Sequence, residues 1–357
     1  MNLPSPDRLS PLEPAAALRD RYDPADAPHA FRAASHAEAV SWQRRTREEL
    51  AEAVGFLGEP TVDLKPERVE LVDKGDYTRE KVVIRTAPRT EMPVYLLRPN
   101  GATPPWPTVL ALHGHGYGVK DIVGLWEDGA ERDSPDGYHR DFAVALCRRG
   151  FAVAAPEISC FGERRTDFGY LNAELGQPEP TTCEHTAALA VHLGGSVAGL
   201  RVRDGMRLVD YLEQADGFDT ARLGAMGISG GGMHAFFSAC LDERIRAVVV
   251  SGYYSSFAES ILAMHHCPCN YVPGLARFGE MADLVGLIAP RPFFVESGTH
   301  DPIFPIEAVG RAVEAARDVY RVFGAEDAVG HEVFEGRHRI HGDAAYRFLE
   351  TRLATVD

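Results

Sequence analysis

No stretch of this chain is apolar for the ~20 residues that a membrane-crossing helix requires. The start, Met1-Asn2-Leu3-Pro4-Ser5-Pro6, has neither a basic region nor an apolar one behind it, so no secretory signal is expected. Basic charge is in deficit: 37 Lys and Arg face 52 Asp and Glu, a formal net charge of −15. That sign repels phosphate backbones and anionic lipid, which excludes nucleic acid and membrane surfaces as expected partners. Cysteine is sparse, six in 357 residues, and positions 147, 160, 183, 240, 267 and 269 form no disulfide framework. They read as reduced thiols in a cytoplasmic protein. Internal repeats and low-complexity tracts are missing too. What remains is a 45 % hydrophobic, 25 % charged chain with material for a sizeable core.

Residues 1–28, rich in proline and alanine, predict an extended arm lying on the body or partly disordered. From Phe31 to Phe56 the pattern is helical, and the run Arg44 to Glu49 is a solvated face. Gly58, Pro60 and Pro66 end this extension, which places a boundary between residues 1–66 and a main domain, 67–357. Short β-branched runs at 69–72, 81–84 and 93–97 predict an antiparallel entry to a sheet. Thr108 to Leu112 and Gly150 to Ala155 are almost wholly apolar, as strands buried on both faces should be. Helices are expected over 142–149 and about 202–214, and further strands at 222–226, 245–250, 292–296 and 331–334. Alternating strands and helices give an α/β fold, a mostly parallel sheet covered on both faces. Three long connections, roughly 117–140, 157–198 and 253–288, follow strand ends, where such sheets bind ligands.

The chemistry centres on Gly227-Ile228-Ser229-Gly230-Gly231, a Gly-x-Ser-x-Gly stretch between an apolar strand and a helix starting near Met233. A serine on such a turn is held at the carboxyl edge of the sheet and at a helix amino end, where negative charge is favoured. On the motif alone, a glycine-rich turn with an incidental serine stays open. His113-Gly114-His115-Gly116 follows the buried strand 108–112, where backbone N–H groups can face a developing oxyanion, and the N–H groups of His115 and Gly230 are assigned to that hole. Asp301 follows the strand at 292–296 and His338 the strand at 331–334, completing the order Ser, Asp, His. His341 is the competing histidine; it precedes the last helix and is expected to pack or cap that helix's start.

These residues resemble the serine α/β-hydrolases grouped with dienelactone hydrolase-like and acetyl xylan esterase-like proteins, over roughly residues 60–345. The resemblance implies an α/β-hydrolase fold, Ser229 as nucleophile, Asp301 as orienting acid, His338 as base, and no cofactor. Two departures matter. Dienelactone hydrolases proper carry cysteine at the position of Ser229, and the better-known acetyl xylan esterases carry glutamine where Gly230 stands.

Around this centre, Glu163, Arg164, Trp126 and Tyr253 lie in the long connections and are candidate substrate contacts; ordinary loop pairing and packing account for them equally. His234, on an apolar helix, reads as a satisfied core histidine. His265-His266-Cys267-Pro268-Cys269 has ligand-type side chains but no zinc spacing, so no metal is expected and the segment reads as a loop beside the site. The expected function is cleavage of small carboxylic esters, acetylated carbohydrate among them, through an acyl-enzyme, with a small-molecule ester as partner. A prolyl oligopeptidase-like peptidase is the alternative, though few residues precede His113 to hold a propeller. A non-catalytic ligand-binding relative is another. None of these motifs encodes oligomeric state.

Overall fold

The sheet follows from two periodicities, seen in a computed structural model that describes Leu12, residues 14–101 and residues 103–354. Nine strands pair in the order β1-β2-β3-β5-β4-β6-β7-β8-β9. β1 (Glu67–Asp73), β2 (Tyr77–Ala87) and β3 (Thr90–Pro99) are the antiparallel entry, and β3 also runs antiparallel to β5 (Ala152–Pro156). From β5 onward, β4 (Trp106–Leu112), β6 (Phe218–Ile228), β7 (Ala247–Ser251), β8 (Phe293–Gly298) and β9 (Val329–Phe334) are parallel.

Successive side chains of a strand point to opposite faces, and the unbroken apolar runs feed two separate core layers. Leu110, Leu112, Val248, Val250, Phe293 and Val295 join the layer under the helices His36–Val54, Val197–Leu212, Gly230–Leu241 and Ile306–Val322. Their neighbours Val109, Ala111, Ala247, Val249 and Phe294 join the opposite layer, under Phe142–Cys147 and Asp343–Arg352. Each fully buried Leu or Val contributes roughly 1.5–3 kcal/mol, so a one-residue slip of β4 or β7 would exchange both layers at once.

The expected helix over 31–56 is His36–Val54, started by Ser35, whose hydroxyl accepts from Glu38 N–H, and stopped at Gly55 with φ +77°. Trp42 Nε1 donates to the His29 carbonyl, and the Phe31 N–H to Asp283 Oδ1, tying this segment to residues beyond 280. The part of the arm from Pro14 contains a short helix, Pro14–Arg19, rather than a wholly extended chain; the expectation for residues 1–11 and Glu13 lies outside the described residues.

Two expectations need correction. The connection 157–198 is not irregular: it holds helices Gly169–Leu175 and Thr182–His192. The helix expected near 202–214 begins at Val197, because Ser196 caps it, accepting from Gly199 N–H at 3.0 Å while its hydroxyl donates to Val54 O at 2.9 Å. Buried Arg201, Arg203, Asp204 and Arg207 on that helix mask its apolar period. Among the described residues no helix is long and apolar enough to cross a membrane.

Candidate active site

Ser229 sits between the last residue of β6 and the first turn of Gly230–Leu241, with φ 57° and ψ −122°. A side-chain-bearing residue is strained there. The turn holds because Ser229 N–H donates to Ser251 O at 3.0 Å and Ser229 O accepts from Met233 N–H at 2.9 Å. Two glycines make the close approach possible: a Cβ on Gly231 would overlap the Leu112 carbonyl, and one on Gly227 the Gly231 carbonyl. The serine therefore stands beside the carboxyl end of β4.

The segment leaving β4 is fixed by buried polar groups. Gly114 N–H donates to His139 Nε2 at 2.8 Å, and His139 Nδ1 meets Asp121 Oδ2 at 2.7 Å. Burial, which disfavours the imidazolium, keeps His139 below the usual histidine range despite that carboxylate. Asp121 in turn bonds Arg132, which also pairs with Asp141. The His113 ring bridges Gly114 O at 2.8 Å and Ile158 N–H at 3.1 Å, and the Tyr138 hydroxyl donates to the His115 carbonyl. Such a network leaves the 113–116 backbone little freedom. His115 lies against Gly230: a Cβ there would come within 3.0 Å of the imidazole.

Asp301 and His338 come together from the loops after β8 and β9. His338 Nδ1 lies 2.6 Å from Asp301 Oδ2, and Asp301 Oδ1 accepts from Ile303 N–H at 3.0 Å and Phe304 N–H at 3.2 Å. The imidazole stacks on Phe304 and lies against Tyr138, and it passes over Gly252, where a Cβ would meet it at 2.9 Å. Nε2 of His338 is buried with no hydrogen-bond partner among the described residues. One cavity of about 330 Å³ is lined by Ser229, Gly230, His115, His338, Tyr138 and Tyr253, among others. His341 is engaged elsewhere: its Nδ1 is 2.9 Å from Glu332 Oε1 and its ring stacks on Phe334.

Of the candidate substrate contacts, Tyr253 lines this cavity, although it is almost wholly buried. The other three are not among its lining. Trp126 lies under the Arg132 guanidinium, Glu163 pairs with Lys81 at 2.6 Å, and Arg164 pairs with Asp204 at 2.8 Å. His234 is in the core as expected, its ring beside the backbone of Arg201. Burial drives its pKa down to about 3.

Motif spacing gave no sign of the residues that support the loop, Asp121, Tyr138 and His139, because they are isolated in the 117–140 connection. Nor did it show a thiol cluster beside His115. The side-chain ligand atoms of His115, Cys267 and Cys269 all lie within 4.8 Å of one another.

No family model matches the chain. Over 301 residues it is 27 % identical to a Bacillus subtilis (strain 168) protein named "Putative hydrolase YtaP", a match spanning 80 % of this chain and 91 % of that one. Among solved structures, one described as a putative acetyl xylan esterase from Bacteroides fragilis NCTC 9343 superposes with a TM-score of 0.73 at 18 % identity, covering 90 % of this chain and 82 % of that one. A glucuronoyl esterase from Solibacter usitatus gives 0.65 at 19 % identity, covering 88 % and 94 %. With the sheet order above, these likenesses establish an α/β-hydrolase fold.

Proposed function

We propose that this chain is a serine hydrolase of small carboxylic esters, working through an acyl-enzyme on the substrate side of the 330 Å³ cavity. The observation that carries the reading is the 2.6 Å His338–Asp301 bond in a cavity shared with Ser229 at its strained turn. In this reading Asp301 holds the proton on Nδ1 of His338, so Nε2 is the acceptor. Nε2 takes the Ser229 hydroxyl proton as Oγ attacks the ester carbonyl. The carbonyl oxygen gains negative charge and is met by the N–H groups of His115 and Gly230, whose positions the Asp121–His139 network and the helix start hold in advance. Collapse of the tetrahedral intermediate expels the alcohol, which takes its proton from the imidazolium. Water, deprotonated by the same Nε2, then releases the acid.

Residues 67–357 are the catalytic unit in this proposal and 1–66 an extension of it. The names of the structural neighbours, an acetyl xylan esterase and a glucuronoyl esterase, support a carbohydrate ester as substrate. Six free thiols support a reducing compartment such as the cytoplasm. A fluorophosphonate probe tests the core of the reading, since only an activated serine reacts rapidly. Stoichiometric labelling that maps to Ser229, with turnover of aryl acetates, is the expected result. A native chain that neither labels nor turns over any ester would refute it.

A further inference from the structure

Glu296 lies on β8 directly after the apolar residues Phe293, Phe294 and Val295, and it is fully buried. The mechanism above makes no use of it. A carboxylate taken out of water is costly unless its oxygens are met by donors. Here each oxygen has one. Oε2 accepts from the Ser251 hydroxyl at 2.6 Å, and Oε1 accepts from the Gly342 N–H at 2.5 Å.

The two donors belong to the two segments that must meet for proton transfer. Ser251 ends β7, and its carbonyl accepts the Ser229 N–H at 3.0 Å, which holds the strained turn. The next residue, Gly252, donates to the Glu296 carbonyl at 3.0 Å and lies against the His338 imidazole. Gly342, with φ 90°, ends the loop that carries His338 and turns it into the helix Asp343–Arg352. Ile340 N–H, donating to Tyr138 O at 2.8 Å, is a second anchor of that loop. Ser229 and His338 follow different strands, β6 and β9, so neither segment alone sets their separation. One buried side chain spans both.

We propose that Glu296 is a positioning residue that fixes the approach of His338 Nε2 to Ser229 Oγ by clamping Gly342 to Ser251. Its effect on turnover rests on the esterase reading; the clamp itself does not. Proton transfer needs the two atoms within hydrogen-bond reach, and a misplacement of about 1 Å can cost ~10²-fold in rate. Glu296 is not in the lining of the catalytic cavity. Loss of the clamp therefore acts on the chemical step and leaves substrate binding largely alone. The side chain takes no part in the backbone pairing of β8 with β7 and β9, so the sheet survives its replacement.

The test compares Glu296→Met, of similar length without an acceptor, with Glu296→Gln in the full chain. Glutamine keeps an oxygen for the Gly342 N–H and turns its NH2 group to the Ser251 hydroxyl, which then accepts. Glu296→Met should lose ~10- to 100-fold in kcat on aryl acetates, with KM within about threefold. Fluorophosphonate labelling of Ser229 should slow in parallel, and Glu296→Gln should recover most of both losses. Amide hydrogen exchange over residues 335–342 should quicken in Glu296→Met and return towards the parent in Glu296→Gln. Should Glu296→Met fail to fold, Ser251→Ala removes one donor from the clamp and should lower kcat in the same direction, by about 3- to 10-fold. An active parent beside a folded Glu296→Met of parental kcat, or with loop exchange unchanged, would overturn the proposal alone. A parent that turns over no ester would instead remove the esterase reading and the role in turnover together, while the exchange measurement still decides the clamp.

Discussion

Replacing Asp301 by Asn isolates the orientation of His338 from everything else the carboxylate does. Asp301 uses its two oxygens differently: Oδ2 faces His338 Nδ1 at 2.6 Å, while Oδ1 accepts two backbone N–H groups at 3.0 and 3.2 Å. An Asn can keep its carbonyl oxygen on Ile303 and Phe304, because those donors want only an acceptor. Its NH2 group then faces Nδ1 and, being a donor, demands that Nδ1 be the lone-pair nitrogen. The proton moves to Nε2, which can no longer accept from Ser229. The expected loss is ~10⁴-fold in kcat, equal to ~5 kcal/mol of transition-state stabilisation, with KM little changed. Since the two backbone bonds survive, the melting temperature should stay within a few degrees of the parent. Asp301→Ala is the contrast, for it leaves both N–H groups without an acceptor at a nearly buried position, at about 1–3 kcal/mol each. The assay is aryl acetate turnover beside thermal unfolding. An Asp301→Asn protein within tenfold of parental kcat would refute the tautomer argument and with it the role given to Asp301.

Further outcomes follow from the same geometry. His338→Ala should fall about as far as Ser229→Ala, ~10⁴-fold or more, while His341→Ala, which loses its contacts to Glu332 and Phe334, keeps activity within about tenfold; the reverse pattern in kcat/KM would transfer the base to His341. Gly231→Ala should give no folded protein, since its Cβ would meet the carbonyls of Leu112 and His113, and a cooperative unfolding transition like the parent's would disprove the close approach. Aryl acetates should turn over much faster than proline-containing amides, and comparable kcat/KM on both would favour a peptidase. Burial holds His234 near about 3 and His331 near about 4, whereas both titrate near ~6.5 when unfolded. Their stabilisation is therefore complete above about pH 6.5 and lost as pH falls through that value towards the folded ones, on the order of 2 kcal/mol apiece by pH 5. Urea midpoints at pH 7 and pH 5 should converge for His234→Asn relative to the parent, and an unchanged pH dependence would contradict the burial argument.

How legible these features were in the sequence depended on how local their causes are. β4 and β7 could be read directly because a strand buried on both faces needs an unbroken apolar run, and the turn at Ser229 because its glycines are adjacent in the chain. The start of the Val197–Leu212 helix was missed because Arg201, Arg203, Asp204 and Arg207 are buried, so the polar residues that normally mark a solvent face stand inside. The amphipathic helix Ile306–Val322, which covers β8 and β9, was not among the expected elements. Asp121, Tyr138 and His139 carry no spacing signal, since their effect on Gly114 and His115 is exerted across a loop rather than along a helix or strand. The grouping of His115 with Cys267 and Cys269 is the extreme case. Cys267 and Cys269 are two apart, but His115 is more than one hundred and fifty positions away. Only the tertiary fold, which lays the 253–288 connection over the end of β4, brings two of the six scattered cysteines beside this histidine. Residues whose chemistry depends on a shared sheet edge become visible only when strand order is known, and the same sheet edge that presents Ser229 assembled this cluster.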